Sequence, residues 1–317
     1  MDIQQFEEQN NINNDESIYI WDEQEQDDIL EKQEWKKDPN YFKKCKISLL
    51  AVLKMLTHAR MGGHNEVMGL FQGKIKNDTI IVMDSFALPV EATETRVNAS
   101  SDCNEFIIQQ VELLEKAGKM ENVRGWYHSH PSYGCWLSGI DVQTQTLQQK
   151  ADPMLAIVID PIRTMASGKI EIGAFRTYPE NFNKQVDQGQ NQQVIPLDKI
   201  EDWGVHYKKY YALEVSFFKT NLDSEIIEVL WNKYWINTIT QSAIFINKEY
   251  FVNSLNDLSN KMKNAKNKGR KGDTVITVND LLGKNSLGEK EPIKYALEKN
   301  QALVNESIKN LLFQYQF

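Results

Sequence analysis

Along "YFKKCKISLLAVLKMLTHARMGG" (41–63), Leu49, Leu50, Val52, Leu53 and Leu56 recur at the spacing of one helix face. Ser48 precedes this stripe as a plausible N-cap, and Gly62-Gly63 closes it, so the pattern predicts a helix. Two apolar runs follow, "EVMGLFQGKI" and "TIIVMDSFAL", joined by the turn-forming "KNDT"; they predict a strand pair. In "NEFIIQQVELLEKAGK" (104–119), Phe106, Ile107, Val111 and Leu114 share a face, and Gly118 stands near the end, which predicts a second helix. Beyond it come a strand "NVRGWYHSH", a turn, a polar helix from about Asp141, and the strands "MLAIVID" and "KIEIGAFRTY". Helices interleaved with short strands indicate an α/β layer fold.

Past a Gln/Asn-rich loop (181–193), Val205, Tyr207, Tyr211, Leu213, Val215 and Phe217 alternate with more polar neighbours, which predicts one long strand. "SEIIEVLWNKYWINTI" predicts a helix burying Ile227, Leu230, Trp231, Tyr234 and Trp235. From Pro292 onward, Ile293, Leu297, Val304, Ile308, Leu311 and Tyr315 form a helical seam that either folds back on its own domain or packs against helices of an assembly. Residues 1–40 are acidic and rich in Asn and Gln, so little apolar burial is expected there, with Ile18, Tyr19, Ile20 and Trp21 as the anchors.

Composition narrows the function classes. The apolar share of 41% and charged share of 25% suit a soluble globular protein. No apolar run is long enough to span a bilayer, and "MDIQQFEEQNN" lacks the basic start and apolar core of a signal peptide. The net charge of −8 argues against general nucleic-acid binding; the six basic residues in "KMKNAKNKGRKG" (261–272) are read as a solvated helix end and loop. Three widely spaced cysteines (Cys45, Cys103, Cys135) suit a reducing compartment rather than a disulfide framework.

The chemistry concentrates in "GWYHSHPSYGCWLSGID" (125–141). His128 and His130 stand two apart at the end of a strand, so both imidazoles point to one face, and Gly134 and Gly139 let the chain turn back to Asp141. Two imidazoles and a carboxylate leave a fourth tetrahedral position of Zn²⁺ open, the arrangement of a catalytic site. An H-x-H pair also arises by chance. Ser138 three residues before Asp141 equally fits a helix-capping box, which needs no metal; the two roles are compatible.

"HSHP" followed by "WLSGID" is similar to the metalloprotease signature of JAMM (MPN-plus) domains. That resemblance implies a mixed, curved β-sheet flanked by helices, cytidine-deaminase-like, spanning 41–237 (core 44–180), between the extension 1–40 and a helical assembly segment, 238–317. It implies one zinc per chain on His128, His130 and Asp141, with Glu66 in "NEVMGL" as general base and Ser138 steadying the tetrahedral intermediate. Cys135 is read as a small buried residue rather than a fourth ligand, because a thiolate would close the site. His58, His64 and His206 are read as structural or surface residues. Ser132 departs from the family's usual glycine and would be strained at a positive φ.

Over residues 38–240, segments such as "MDSFALPVEATETRVNA" and "IEDWGVHYKKYYALEVSFFKTNLD" resemble the catalytic subunits of the COP signalosome. The likeness implies an isopeptidase of cytoplasm and nucleus that removes a ubiquitin-like modifier from cullin lysines (deneddylation). Its partners would be other signalosome subunits, including a second MPN-domain subunit, and modified cullin-RING ligases, with no nucleic acid or membrane. It also implies an autoinhibitory loop in which Glu94 takes the open zinc position and Arg96 answers to substrate; a solvated loop with an ordinary acid fits the residues equally. A deubiquitinating subunit like that of the proteasome lid, or an MPN scaffold with an idle site, are the alternatives.

Overall fold

The computed structural model describes residues 1–89, 92–93, 96–97, 101–179, 195–197, 199–231, 235–240, 249, 252–257, 259–260, 263 and 287–313. The basic stretch 261–272 (Lys263 excepted) and the loop 181–193 lie outside the described residues. The chain divides into two compact units, Met1–Thr240 and Gln241–Phe317.

The first unit holds strands β1 (Ile12–Asn14), β2 (Lys44–Ser48), β3 (Met68–Lys76), β4 (Thr79–Ala87), β5 (Ala92–Thr93), β6 (Arg96–Val97), β7 (Asn122–Ser129), β8 (Leu155–Ile159), β9 (Ile172–Thr177), β10 (Tyr210–Ala212) and β11 (Glu214–Lys219). Its helices are α1 (Ile3–Gln9), α2 (Glu23–Lys32), α3 (Glu34–Lys37), α4 (Leu49–Gly62), α5 (Ser101–Lys116), α6 (Gly139–Ala151), α7 (Pro161–Ser167), α8 (Ile200–His206) and α9 (Asn221–Leu230). Nine strands form one sheet in the order β1-β11-β2-β4-β3-β7-β8-β9-β10, and β5 pairs with β6 apart from it. The sheet is mixed: β2–β4 and β7–β8 run parallel, while β3 pairs antiparallel with β4 and β7. Asn77 adopts φ 54° in the β3–β4 turn, a left-handed conformation that asparagine tolerates.

Helix α4 explains the curvature. Leu49, Ala51, Val52, Leu53, Met55, Leu56, Thr57 and Ala59 are buried, so the helix is apolar well beyond a single stripe and must be enclosed. It touches β11, β2, β4, β7 and β8, strands spread across the sheet order, which requires the sheet to curl around it. The margins then approach one another. The stretch read as one long strand bends there instead: Val205 lies in α8, Tyr207 caps it, and two strands follow that belong to opposite sides of the sheet order. Leu213 N donates to Ala174 O at 2.8 Å, and Glu214 N donates to Lys43 O at 2.9 Å, so consecutive residues bond to β9 and to the start of β2. From Tyr211 to Phe217 the alternate residues do keep to the core side across the break, whereas Val205, in α8, is exposed.

The N-terminal segment is the largest departure from expectation. Phe6 is fully buried against Trp231 and Trp235, with ring centroids 5.2 and 5.3 Å away, and β1 extends the sheet in parallel on β11. The amides that suggested solvation act here as surrogate backbone. Gln26 Nε2 donates to Ile75 O at 2.7 Å while its Oε1 accepts from Ile75 N at 3.0 Å. Asn10 treats Ile170 N and Gly168 O in the same way. Among the expected anchors Ile18 is buried and Trp21 half-buried, but Tyr19 and Ile20 are exposed; Phe6 and Trp35 hold the segment instead. Helix α7 was also not anticipated. Asp160 caps it through Ile162 N and Arg163 N, and Pro161 begins it.

In the second unit, α10 (Leu287–Phe313) starts five residues before Pro292. Its seam residues Leu297, Val304 and Leu311 are exposed. Among the described residues no helix is long and apolar enough to cross a membrane.

Candidate metal centre

Pairing of β3 with β7 sets Met68 opposite His128 and so brings Glu66, just before β3, alongside the histidines. Ser129 fastens this junction: its N donates to Val67 O and its Oγ accepts from Val67 N, both at 3.0 Å. Beyond the strand, His130 N donates to Ile159 O at 2.9 Å and continues the register with β8.

The two imidazoles converge. His128 Nε2 lies 3.0 Å from His130 Nε2 and 3.4 Å from Asp141 Oδ2, and the ligand atoms of the three residues fall within 4.8 Å of one another. His130 Nδ1 lies 2.9 Å from Gly134 O; a carbonyl only accepts, so Nδ1 carries the proton and Nε2 keeps a free lone pair. His128 Nδ1 is buried with no hydrogen-bond partner among the described residues. Stacking holds this ring instead, with Trp126 at 5.0 Å and 18°, and Trp126 is itself fixed by a 3.0 Å bond to Gln145 Oε1 on α6.

Both readings of the Ser138–Asp141 pair hold together. Ser138 Oγ accepts from Asp141 N at 3.3 Å, and Asp141 Oδ2 accepts from Ser138 N at 2.9 Å and from Ser138 Oγ at 2.7 Å. The capping box that starts α6 thus aims the carboxylate at His128. Burial pushes the Asp141 carboxyl up, but His128, His130 and the Ser138 hydrogen bond outweigh it and hold the group well below the usual range. Burial and the neighbouring His128 bring His130 down to about 3, which keeps it neutral as a ligand must be. For His128 burial is outweighed by Asp141 and Glu66, which raise it. Two nitrogens and one carboxylate oxygen facing a common point are the donor set of a zinc site with an open position, and the residues present fit that ion.

Glu66 is half-buried, and burial raises its carboxyl above the ordinary value despite the opposing pull of His128 and Tyr133. Tyr133 OH donates to Glu66 Oε1. The loop that carries Tyr133 hangs on Asp160, a fully buried carboxylate. Its Oδ1 accepts from Ser132 N at 3.1 Å and its Oδ2 from Gly134 N at 2.9 Å, while it also caps α7. Gly134 needs φ 85°, and a Cβ there would sit 3.0 Å from Arg163 Nη1.

Ser132 adopts φ 78°, the strained value that its departure from glycine suggested. It is exposed, and among the described residues only its backbone atoms make hydrogen bonds, so no side-chain bond there offsets the strain. Ser132→Gly is expected to raise the free energy of unfolding by about 1 kcal/mol, measured by urea denaturation; an unchanged midpoint would show that the turn relaxes around serine.

Cys135 is buried, its thiol donates to Glu171 O at 3.4 Å, and it stands outside the converging group of His128, His130 and Asp141. His58 pairs with Tyr127 OH at 2.9 Å, His64 is exposed, and His206 lies in α8 rather than in a strand, 3.5 Å from Asp202. Glu94 lies outside the described residues. Arg96 pairs with Thr93 in the β5–β6 ladder, and only its backbone position is described.

The site opens into a cleft of about 580 Å³ whose walls include Glu66, Trp126, Tyr133, Ser138, Lys199 and Asp202. Tyr133 and Trp126 lie inside or beside the motif, where their type and spacing could have marked them. Lys199 and Asp202 arrive through α8 from more than fifty residues downstream, and no local pattern signals them.

The family model described as JAB1/Mov34/MPN/PAD-1 ubiquitin protease matches residues 40–154. The chain is 47% identical over 318 residues to the COP9 signalosome complex subunit 5 of Dictyostelium discoideum, covering 98% of this chain and 95% of that protein. It is 49% identical over 310 residues to subunit 5a of Arabidopsis thaliana (94% and 85% covered). With subunit 5 of Caenorhabditis elegans it shares 47% over 312 residues (98% and 84% covered). The chain belongs to the JAB1/Mov34/MPN/PAD-1 ubiquitin protease family, in the group of the signalosome subunit 5 proteins.

Proposed function

We propose that this chain is a zinc-dependent isopeptidase that removes a ubiquitin-like modifier from cullin lysines as the catalytic subunit of a signalosome. The observation that carries the reading is the convergence of His128, His130 and Asp141 on one point at the floor of a cleft, with Glu66 beside them. His128, His130 and Asp141 would hold the zinc, which when bound would supply Lewis acidity toward a carbonyl and a water of lowered pKa, about 7. Glu66 takes the proton of the attacking water and returns it to the leaving lysine amine, a role its place beside the three converging side chains permits. Tyr133, bonded to one oxygen of Glu66, fixes the carboxylate and leaves its other oxygen for that work. Ser138 turns its hydroxyl from Asp141 toward the carbonyl oxygen as negative charge develops there.

The same proposal makes Glu94, with Arg96, the latch that holds the free chain idle until substrate arrives. It also makes the exposed Leu297, Val304 and Leu311 of α10 a contact with other signalosome subunits, including a second MPN-domain subunit, in cytoplasm and nucleus. The test is release of the two modifiers, from a modified cullin and from polyubiquitin, by the full chain alone and in its assembly. Release from the cullin conjugate, lost in Glu66→Gln, is expected. Faster cleavage of polyubiquitin would move the substrate class, and no cleavage of either by a zinc-loaded assembly would leave a scaffold.

A further inference from the structure

Lys199 is the one lysine among the cleft-lining residues described, and local structure does not explain it. It occupies the N-cap of α8, makes no side-chain capping bond, and sets a positive charge at the helix end where cations are disfavoured. Glu201 and Asp202 answer that helix end, and Asp202 faces His206 at 3.5 Å rather than Lys199. Among the described residues no carboxylate comes within 4.0 Å of Lys199 Nζ. The ammonium lies over the ring of Tyr133, 5.5 Å from its centroid, and that tyrosine's hydroxyl reaches Glu66. A cation–π contact of this kind contributes only about 0.5–1 kcal/mol at an exposed site. The half-buried charge is therefore held on the wall of the reaction cleft, and among the described residues no hydrogen-bond acceptor takes it up.

The reaction supplies a matching group. In hydrolysis of an isopeptide bond the oxygen of water bonds to the carbonyl carbon and the C–N bond breaks. One proton passes to the leaving amine, and the new acid loses the other. The conjugate thus enters as a neutral amide and the modifier leaves with a carboxylate on its terminal glycine. We propose that Lys199 anchors a carboxylate subsite in this cleft, which takes the C-terminal glycine carboxylate of the released modifier; the identity of that ligand rests on the isopeptidase reading above. A consequence is inhibition by product: the free modifier competes with conjugate through its carboxylate.

Calorimetric titration of the full-length chain, zinc-loaded and zinc-free, with a synthetic peptide ending in a glycine carboxylate and with the same peptide as its amide, tests the subsite. The acid is expected to bind more tightly than the amide. Lys199→Met is expected to cut that preference about tenfold, the size of one charge-assisted hydrogen bond in a part-buried site. Lys199→Arg should retain it, with both variants melting like the wild type. Equal preference in wild type and Lys199→Met in both zinc states would overturn the subsite, as would failure of both peptides to bind. If conjugates are cleaved but acid and amide bind alike, the subsite falls and the isopeptidase reading stands. A Lys199-dependent preference for the acid, when neither the chain nor its zinc-loaded assembly cleaves conjugate, would leave the subsite standing and remove the isopeptidase reading.

Discussion

Glu66→Gln is expected to slow modifier release by about 10²–10⁴-fold with the zinc content and melting temperature unchanged, because glutamine keeps the shape of the group but cannot accept a proton. The surroundings make this substitution clean. Glu66 lies beside the metal-facing residues rather than among them, and its neighbour Tyr133 can donate to an amide oxygen as readily as to a carboxylate. The loss should fall on kcat, since the interaction belongs to the transition state. Single-turnover release from a modified cullin, alongside metal analysis of the same preparation, measures it. A variant within a few-fold of wild type would remove Glu66 from the chemistry and leave it as the anchor of Tyr133.

His130→Ala and Asp141→Ala are expected to abolish activity by another route, through loss of the ion. Deleting a direct ligand should weaken zinc binding by well over the roughly 10–100-fold that outer partners contribute. The two variants differ in a way that exposes the double role of Asp141. His130→Ala removes a ring packed among His128, Tyr133 and Trp136 and leaves a cavity. Asp141→Ala also breaks the capping box of α6 and should cost about 1 kcal/mol of stability independent of metal. With chelator present, Asp141→Ala should therefore still unfold at lower denaturant than the wild type. Equal stability there would mean that the box contributes nothing beyond aiming the carboxylate.

Much of this site is readable from the chain because its parts are local. His128 and His130 are neighbours on a strand, and Ser138 and Asp141 belong to one helix start, so period and capping chemistry place all four without knowledge of the fold. Glu66 needs more, because only the antiparallel register of β3 on β7 brings it near, and strand pairing is not written in either strand alone. Lys199 needs still more. It reaches the cleft from α8, on a stretch whose alternating Val205 to Phe217 pattern concealed a helix, a turn and two strands.

The N-terminal segment departs from its composition for a different physical reason. Composition counts Asn10 and Gln26 as solvated amides, whereas both are buried and satisfied by main-chain groups of 168–170 and Ile75. Their amides are chemically peptide-like, so they can stand in for a strand neighbour where none exists. Likewise the seam of α10 was legible as a pattern, but a periodic stripe does not itself say what packs on it.

The most direct test is the zinc content of purified full-length chain, folded and dialysed against limiting zinc, measured by plasma mass spectrometry for wild type, Glu66→Gln, His130→Ala and Asp141→Ala. One ion per chain is expected in the first two and a small fraction of that in the others. A folded wild-type chain that retains no zinc, or ligand variants that retain as much as the wild type, would contradict a metal held by His128, His130 and Asp141.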